Sequence, residues 1–345
     1  MIELLKKMRP SVLISLLVSV AVAIMIASCQ DETPKDAFGS WPSNNKDQAP
    51  GKYPQTDAGE ILDQADRITD VLWDTTFTVT PGLEYYQFIL ETYDGKKQDT
   101  YLLKADLSRG LRLKVGVSKQ TAPPIWHEEI LSVMMADMSS LLKPVYAMVN
   151  GDFCNNVVVP IRPIGPVHSD GKVLAEDYCP DPDQEHQGVS YLAVTNSGKM
   201  KIGPTNEFES VKDTLKECTG GGIILVQDHK IQQTGSVQYN TSRDPRTAIG
   251  YTSDDIVWVF AVDGRHKGTE GMTYMEIACI FKALGCQAAV NLDGGGSTEM
   301  LIRHPQTSEI VVCNWPSDSA FDKGNAEGDG GFERPRPTTW AIVKK

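Results

Sequence analysis

The sequence predicts an α+β fold in which mixed β-sheets pack against a few helices, with a functional site at strand ends and glycine-rich loops. Segments rich in β-branched and aromatic residues outnumber segments with helical periodicity. The helical segments do not alternate strictly with the strands, as a doubly wound sheet would require. The chain has 345 residues, of which 41% are hydrophobic and 23% charged. That composition excludes a mostly disordered chain and is typical of one large domain or two ordinary ones.

The N-terminus has the pattern of an export signal. Basic residues precede an apolar stretch from 12 to 26, and the stretch ends in Ala27-Ser28-Cys29. Small residues before a cysteine resemble the lipobox of bacterial lipoproteins, which implies that residues 1–28 are removed and that Cys29 carries lipid. Gln30, rather than an aspartate, follows the cysteine. In this respect the sequence resembles lipoproteins that are sent to the outer membrane of the cell envelope. The alternative is an uncleaved anchor helix with an incidental cysteine.

The rest of the chain divides by composition. Residues 29–58 are polar and rich in Pro, Asp and Gln, which predicts a flexible tether. Residues 59–97 predict an N-terminal extension of one short helix, over 60–73, followed by strands. Residues 98–345 predict the main domain.

Strands are predicted wherever apolar residues alternate or form short buried runs between turn residues. These segments are 77–80, 84–91, 98–107, 111–118, 145–149, a hairpin in 189–202, 223–227, 246–251, 256–262, 288–292, 298–303 and 338–343. Two longer segments predict helices. Residues 126–142 carry apolar residues at helical spacing, including a methionine stripe typical of a core. Residues 275–284 form the second predicted helix, with Thr273 and Glu276 as a T-x-x-E capping box at its start.

Long polar connections are predicted at 155–187 and 314–332. A loop of that length in a compact domain is usually functional. His168, in the loop at 155–187, is a weaker candidate for the site, since a single histidine in a loop usually faces solvent. Six cysteines follow residue 29, an even number that permits disulfides in an exported chain without fixing their pairing.

The net charge of -12 is unfavourable for nucleic-acid binding through the overall field. The densest group of polar residues lies between 243 and 299. There, a buried strand runs into Asp293 and three glycines, a turn whose amides are able to bind an anion. No lysine follows the glycines, so a nucleotide P-loop is disfavoured. A metal site formed by Asp152, Asp263 and Asp293 is an alternative interpretation, but no histidine cluster supports it.

Five ordered motifs carry a family resemblance. They are Y-A-M-V-N-G-D-F ending at Phe153, R-D-P-R-T-A-I-G-Y ending at Tyr251, V-D-G-R ending at Arg265, G-M-T-Y-M-E-I-A from Gly271, and A-V-N-L-D-G-G-G-S-T ending at Thr298. The set resembles the phosphodiester glycosidase family from about residue 98 to the C-terminus. The segment from Arg334 to Ile342 resembles the last strand of that family. Asp152, where the family often has a small residue, and the long loop are departures that bear on the substrate pocket.

The resemblance implies hydrolysis of a sugar-1-phosphodiester, of the N-acetylglucosamine-1-phosphate type, at the anomeric C–O bond. This reaction requires a positively charged group to hold the phosphate and a carboxylate for the anomeric centre. Asp293 is the predicted catalytic carboxylate, and Glu276 is second, as an acid/base or as a group that orients an arginine. The predicted substrate-binding or phosphate-binding residues are Arg246, Arg265, Asn150, Asp152, Asp263, Asn291, Gly294, Gly295, Gly296, Ser297 and Thr298. Asn150 and Asn291 bind sugar hydroxyls or fix the loops.

The expected partner is a phosphorylated glycan, with the membrane contacted only through the lipid anchor. No cofactor, resident metal or nucleic acid is expected. Two alternatives stay open: a non-catalytic lipoprotein that binds phosphoglycans, and a phosphodiesterase that cleaves the P–O bond. All of these hypotheses require Arg246 to lie close to the triple-glycine turn.

Overall fold

A computed structural model of the protein describes residues 53–140, 143–155, 161–180, 183–232, 241–253, 255–266, 268–318 and 331–345. The predicted signal peptide, Cys29 and most of the predicted tether lie outside the described residues. No helix in the described part is long and apolar enough to cross a membrane.

Strands dominate the described part of the chain. The helices are α1 (Asp57–Leu62), α2 (Leu131–Met138), α3 (Phe208–Val211) and α4 (Tyr274–Ala283). The strands are β1 (Ile68–Thr80), β2 (Leu83–Thr92), β3 (Lys97–Asp106), β4 (Leu111–Val117), β5 (Val145–Asn150), β6 (Cys154–Asn155), β7 (Arg162–Pro163), β8 (Val167–Ser169), β9 (Lys172–Ala175), β10 (Ser190–Thr195), β11 (Met200–Pro204), β12 (Leu215–Gly221), β13 (Ile224–Gln227), β14 (Lys230–Ile231), β15 (Arg246–Tyr251), β16 (Ile256–Val262), β17 (Ala288–Asn291), β18 (Met300–Arg303), β19 (Ile310–Val312) and β20 (Thr338–Lys344).

Three larger sheets and one small ribbon organise these strands. The eight-stranded sheet has the order β1-β2-β3-β16-β15-β17-β13-β14, and the five-stranded sheets have the orders β19-β18-β5-β20-β4 and β11-β10-β12-β8-β9. Strands β6 and β7 form the ribbon. The ladders between these strands are antiparallel, so the α+β class is confirmed while the sheets are antiparallel rather than mixed.

Hydrophobic burial holds the layers together. Helix α4 packs through Ile277 and Phe281 onto the eight-stranded sheet, within one cluster that also contains Phe260. Helix α2 packs through Met134 and Met135 onto β5 and β20, which confirms that the methionine stripe is core. Side chains of the eight-stranded sheet and of the β5–β20 sheet line one small interior cavity, where Leu103 and Val259 lie opposite Trp340. The two sheets therefore face each other directly.

The segment 59–97 is built into the main sheet. Residues 60–73 do not form one helix, because α1 ends at Leu62 and the backbone turns at Arg67, whose φ of 69° is incompatible with a continuing helix. Strand β1 then begins at Ile68 and pairs with β2, which pairs with β3. The predicted extension thus supplies two strands of the eight-stranded sheet.

The described part of the predicted long loop at 155–187 contains more secondary structure than expected. It contains β7, β8 and β9, and β8 pairs with β12 through His168 and Cys218. His168 is buried and contacts the ring of Phe208 edge-on, so the expectation of a solvent-facing histidine is wrong. No disulfide joins the six cysteines of the described part in this structure.

Candidate active site

The candidate site lies where the ends of three buried strands meet. Asn150 ends β5, and its Nδ2 donates to the carbonyl of Asp293 at 2.7 Å. Its Oδ1 accepts from Thr247 Oγ1 at 2.7 Å and from the amide of Glu299 at 3.2 Å. The side chain of Asn150 is fully buried and engaged on both sides. It therefore fixes the loops that position Asp293, which is the second of the two roles predicted for it.

Asp293 lies two residues after the end of β17, with its carboxylate partly open to solvent. Its amide donates to the carbonyl of Gly151 at 3.2 Å, and its Oδ1 accepts from the amide of Gly294 at 2.8 Å. Its Oδ2 faces Arg336 Nη1 at 3.4 Å. The side chain keeps 14% of its accessible surface, so the carboxylate is anchored and still within reach of a ligand.

Arginines surround the triple-glycine turn after Asp293. A methyl group added at Gly294 would lie 3.7 Å from Arg246 Cδ, and one added at Gly295 would lie 2.9 Å from Arg265 Nη2. A methyl group at Gly296 would overlap the guanidinium of Arg334. The required proximity of Arg246 to the turn is therefore met. The absence of a side chain at Gly295 and Gly296 lets the guanidinium groups of Arg265 and Arg334 approach the turn this closely, while Arg246 contacts Gly294 through its aliphatic stem.

Asp244 holds two of these arginines in place. Its Oδ2 lies 3.2 Å from Arg246 Nη2, and its Oδ1 lies 3.0 Å from Arg265 Nη2. Arg246 also donates to the hydroxyl of Tyr274 at 2.7 Å, and its guanidinium carbon lies 4.0 Å from the centre of the Tyr274 ring. Arg246 is thus buried and fixed, whereas the side chain of Arg265 is 51% exposed and free to meet a ligand at the rim.

The closing segment contributes two arginines that the predicted site omits. Arg334 pairs with Asp318 at 2.5 Å and lies against Gly296. Arg336 is buried and bridges Asp293 to Cys154, whose Sγ it contacts at 2.8 Å. Burial raises the pKa of the Cys154 thiol to about 12. That thiol is therefore protonated at neutral pH and is unsuited to act as a nucleophile.

The glycine amides contribute less to anion binding than predicted. The amide of Gly294 donates to Asp293, that of Gly295 to the carbonyl of Pro245, and that of Ser297 to the carbonyl of Gly294. Three of the four predicted donors are thus engaged within the protein. Anion binding at this turn therefore depends mainly on guanidinium groups.

Hydroxyl and amide groups near the turn are better placed for a ligand. Ser297 Oγ, Thr298 Oγ1 and Asn291 Oδ1 are buried and have no hydrogen-bond partner among the described residues. Buried polar atoms are normally paired, so unpaired ones near the predicted catalytic carboxylate are candidates for groups that meet a ligand. The predicted binding roles of these three residues remain predictions that this geometry supports.

Glu276 does not reach the site as an acid or base. It is fully buried, and its carboxylate lies 2.5 Å from Arg243 Nη2 through Oε1 and accepts from the amide of Thr273 at 2.8 Å through Oε2. Thr273 and Glu276 form the predicted capping box of α4. The alternative role, orienting an arginine, matches the structure, and the oriented residue is Arg243.

Asp263 and Asp152 were predicted to bind substrate, but the structure encloses both side chains in the protein. Asp263 is fully buried and accepts from the Tyr101 hydroxyl at 2.9 Å and from the amide of Trp315 at 2.8 Å. Burial raises its pKa, and its contacts fasten the loop at 315 instead of meeting solvent.

Asp152 is equally enclosed. Its carboxylate accepts from the amides of Phe153 at 2.8 Å and Gly165 at 2.7 Å, and it packs against Gly220. Burial raises its pKa to about 7. Sequence proximity to the strand end suggested both aspartates, but both side chains point into the protein. In the described residues, no group of three or more His, Cys, Asp or Glu side chains has the arrangement of a metal site.

His186 is a site residue that sequence reasoning missed. Its ring lies 5.7 Å from that of Phe153 and 6.5 Å from that of Tyr274, the ring on which Arg246 rests. Burial lowers the pKa of His186, with a smaller contribution from the charge of Arg246. No motif surrounds it in the sequence, and only the folded position of the 183–189 segment reveals it.

Comparisons with known proteins agree with this architecture. The family model for phosphodiester glycosidase matches residues 143–343. The catalytic domain of zebrafish N-acetylglucosamine-1-phosphodiester alpha-N-acetylglucosaminidase, auto-inhibited by its pro-peptide, superposes with a TM-score of 0.59 at 18% identity over 84% of this chain and 94% of that one. A hypothetical protein from Synechocystis superposes with a TM-score of 0.53 at 13% identity over 79% and 64%.

A curated relative matches part of the chain. The SPbeta prophage-derived uncharacterized protein YomE of Bacillus subtilis is 30% identical over 131 residues, which are 36% of this chain. The match spans only 20% of the relative's length. The two structural likenesses show the fold, and the family model ties that fold to the segment that carries Asn150, Arg246 and Asp293.

Proposed function

Because the chain belongs to the phosphodiester glycosidase family, we propose that it hydrolyses a sugar-1-phosphodiester at the anomeric carbon–oxygen bond. The products would be a free sugar and a phosphomonoester. The observation that carries the proposal is the placement of Asp293 beside a turn that three arginines approach. Hydrolysis of a sugar-1-phosphodiester needs a carboxylate for the anomeric centre and an anion site for the phosphate.

The arginines account for the leaving group. A phosphomonoester leaves as an anion and needs less protonation than a sugar alkoxide does. Arg246 and Arg265 are held by opposite oxygens of Asp244, so both guanidinium groups are oriented before substrate arrives. Arg334 adds a third positive charge at Gly296. Fixed charges of this kind stabilise the negative charge that develops on the phosphate in the transition state.

Asp293 acts on the other side of the scissile bond. Its carboxylate either activates water or stabilises the oxocarbenium-like anomeric centre. The backbone contacts to Gly151 and Asn150, together with the Arg336 contact, restrain its position. Ser297 and Thr298 offer buried hydroxyls for hydrogen bonds to sugar or phosphoryl oxygens.

The decisive experiment is release of sugar and phosphomonoester from a GlcNAc-1-phosphodiester. We expect Asp293→Asn to lower kcat/KM by about 10²–10⁴-fold and Arg246→Ala by about 10²–10³-fold, because each removes a group required in the transition state. Asp170→Asn is the control, since this half-exposed aspartate pairs with Arg112 and Lys114 away from the site. Thermal melting of every variant separates loss of chemistry from loss of fold.

Two results would contradict the proposal. Hydrolysis in heavy-oxygen water should place the label in the sugar, and label in the phosphate would instead identify a phosphodiesterase. Calorimetric binding without product release would identify a non-catalytic phosphoglycan-binding protein.

We further propose that the protein is exported and anchored in the cell envelope by lipid on Cys29. The basic N-terminus, the apolar stretch and the small residues before Cys29 support this proposal. Its substrate would then be a phosphorylated glycan of the envelope or of a capsule. Membrane partitioning of a Cys29→Ser variant tests the anchor.

A further inference from the structure

We propose that a cavity beside His186 is a second subsite, which binds an uncharged, hydroxyl-rich extension of the sugar and discriminates against anionic groups. This inference rests on the proposed function. The cavity has a volume of about 560 Å³. Ligand pockets of about 300–1,000 Å³ bury most of a drug-sized ligand, which is roughly the size of a disaccharide.

Two residues that line the cavity also contact residues of the candidate active site. His186 lines the cavity and contacts Phe153 and Tyr274, and Arg246 rests on the Tyr274 ring. The floor residue Ile223 accepts from the amide of Asn291 at 3.0 Å, two residues before Asp293. The cavity therefore lies next to the strand end that precedes Asp293, and the proposed extension of the sugar would enter it from there.

Charge separates the cavity from the phosphate site. The carboxylates of Glu185, Glu207 and Asp228 line it, and none of its described lining residues is Lys or Arg. Burial lowers the pKa of His186, which favours the neutral ring at neutral pH. The arginines lie instead at the triple-glycine turn. The phosphate thus belongs on the arginine side, and the sugar side of the scissile bond extends toward the carboxylates.

The remaining lining residues fit a sugar. Val189, Pro204 and Ile223 offer apolar surface for the C–H face of a pyranose ring. Gln227 lines the cavity, and its Oε1 is buried without a hydrogen-bond partner among the described residues. A sugar hydroxyl satisfies that acceptor, and the rim carboxylates accept from further hydroxyls.

The test compares three methyl phosphodiesters whose sugars are GlcNAc, the neutral disaccharide GlcNAc-GlcNAc, and the same disaccharide with a carboxylate on its distal sugar. We expect wild type to favour the neutral disaccharide over the monosaccharide by about tenfold in kcat/KM. Loss of one hydrogen bond in Gln227→Ala should reduce that ratio about fivefold. Equal ratios in wild type and Gln227→Ala would overturn the subsite.

Charge reversal at the rim gives a second, independent readout. Glu207→Lys should raise kcat/KM for the anionic disaccharide relative to the neutral one by about tenfold at low salt, with a smaller change at high salt. Glu209→Lys is the matched control, because Glu209 is exposed, pairs with Lys212 and does not line the cavity. The same shift in both variants would assign the effect to overall charge and refute the subsite.

Failure of the subsite is distinguishable from failure of the proposed function. If wild type hydrolyses none of the three compounds, calorimetry with the free neutral disaccharide still decides the inference. Binding that weakens in Gln227→Ala and not in Glu209→Lys would support the subsite. Absence of binding by wild type would overturn it.

Discussion

Asp152 shows how a carboxyl group at a strand end becomes a structural rather than a binding residue. Its side chain has no exposed surface, two backbone amides donate to it, and Gly165 and Gly220 leave it just enough space. Burial is the main cause of its raised pKa, and repulsion from the charge of Asp293 adds a smaller contribution in the same direction. Asp152 therefore supports the loop near the Asp293 carboxylate while remaining enclosed by the protein.

This burial predicts a pH dependence of stability. The folded-state pKa of Asp152 is raised to about 7 from an ordinary 3.8, so its protonated form is favoured by folding. The contribution is fully present below about pH 4 and is lost as the pH rises through 7. We expect the free energy of unfolding of wild type to fall between pH 5 and pH 7 by up to about 1.4 kcal/mol per pH unit from this group. Asp152→Asn should remove that part of the slope, as measured by urea unfolding.

The contribution of Asp152 is isolated by comparing the pH dependence of the free energy of unfolding between wild type and variant. Burial also raises the pKa of Glu217 to about 7, so wild type retains a second source of the same trend. The informative quantity is the difference between wild type and variant, and Glu217→Gln should remove a comparable part. An unchanged slope in Asp152→Asn would show that this carboxyl is already ionised in the folded protein at pH 5.

At the scale of elements, the triple-glycine turn is the unit that combines backbone shape with charge. Gly295 has a φ of 61° in the short 3₁₀ helix Gly295–Ser297, and Arg265 lies where its side chain would be. Gly198 has a φ of 84° in the β10–β11 hairpin with nothing within 4 Å of an added side chain. The two glycines share a positive φ and differ in what surrounds them.

That pair gives a matched test of the turn. We expect Gly295→Ala and Gly198→Ala to lose about 1–2 kcal/mol of stability each, because alanine is strained at positive φ. Only Gly295→Ala should also lose phosphodiester hydrolysis, by tenfold or more, since its methyl group displaces the Arg265 guanidinium. Denaturant unfolding and steady-state kinetics measure the two effects. Equal activity in both variants would remove Arg265 from the phosphate site.

Elements were predictable from the sequence where they are long and strongly patterned. Strands β2, β3, β15 and β16 agree with their predicted positions, and α4 with its predicted capping box, because alternation and capping are local properties. Helix α2 is shorter than predicted: it starts after Ile130, which has no side-chain cap. Strands β6 to β9 have two to four residues each, too few to show a period, so they were predicted as loop.

At the scale of the whole molecule, the site depends on contacts that no local pattern encodes. Asp293 meets Asn150 across 143 positions of the sequence and Arg336 across 43. The ordered motifs identified the strand ends that converge, and so Asp293, Arg246 and Arg265 were predictable. Arg334, Asp244 and His186 were not placed in the site, because their positions follow from the order of strands in the sheets.

The site and the N-terminus are far apart in the sequence, and this leads to a prediction for the full chain. The strand ends that form the site lie between residues 150 and 336, whereas the proposed lipid attachment is at Cys29. Each buried methylene of an acyl chain adds about 0.8 kcal/mol to membrane binding, and stable anchoring requires more than one chain. We expect Cys29→Ser to lose palmitate incorporation and to move from the membrane to the soluble fraction, with unchanged kcat/KM on a soluble GlcNAc-1-phosphodiester. Ser28→Ala, which keeps a small residue before the cysteine, should stay in the membrane fraction. Membrane retention of Cys29→Ser would favour an uncleaved anchor helix, since such a helix holds the chain without lipid.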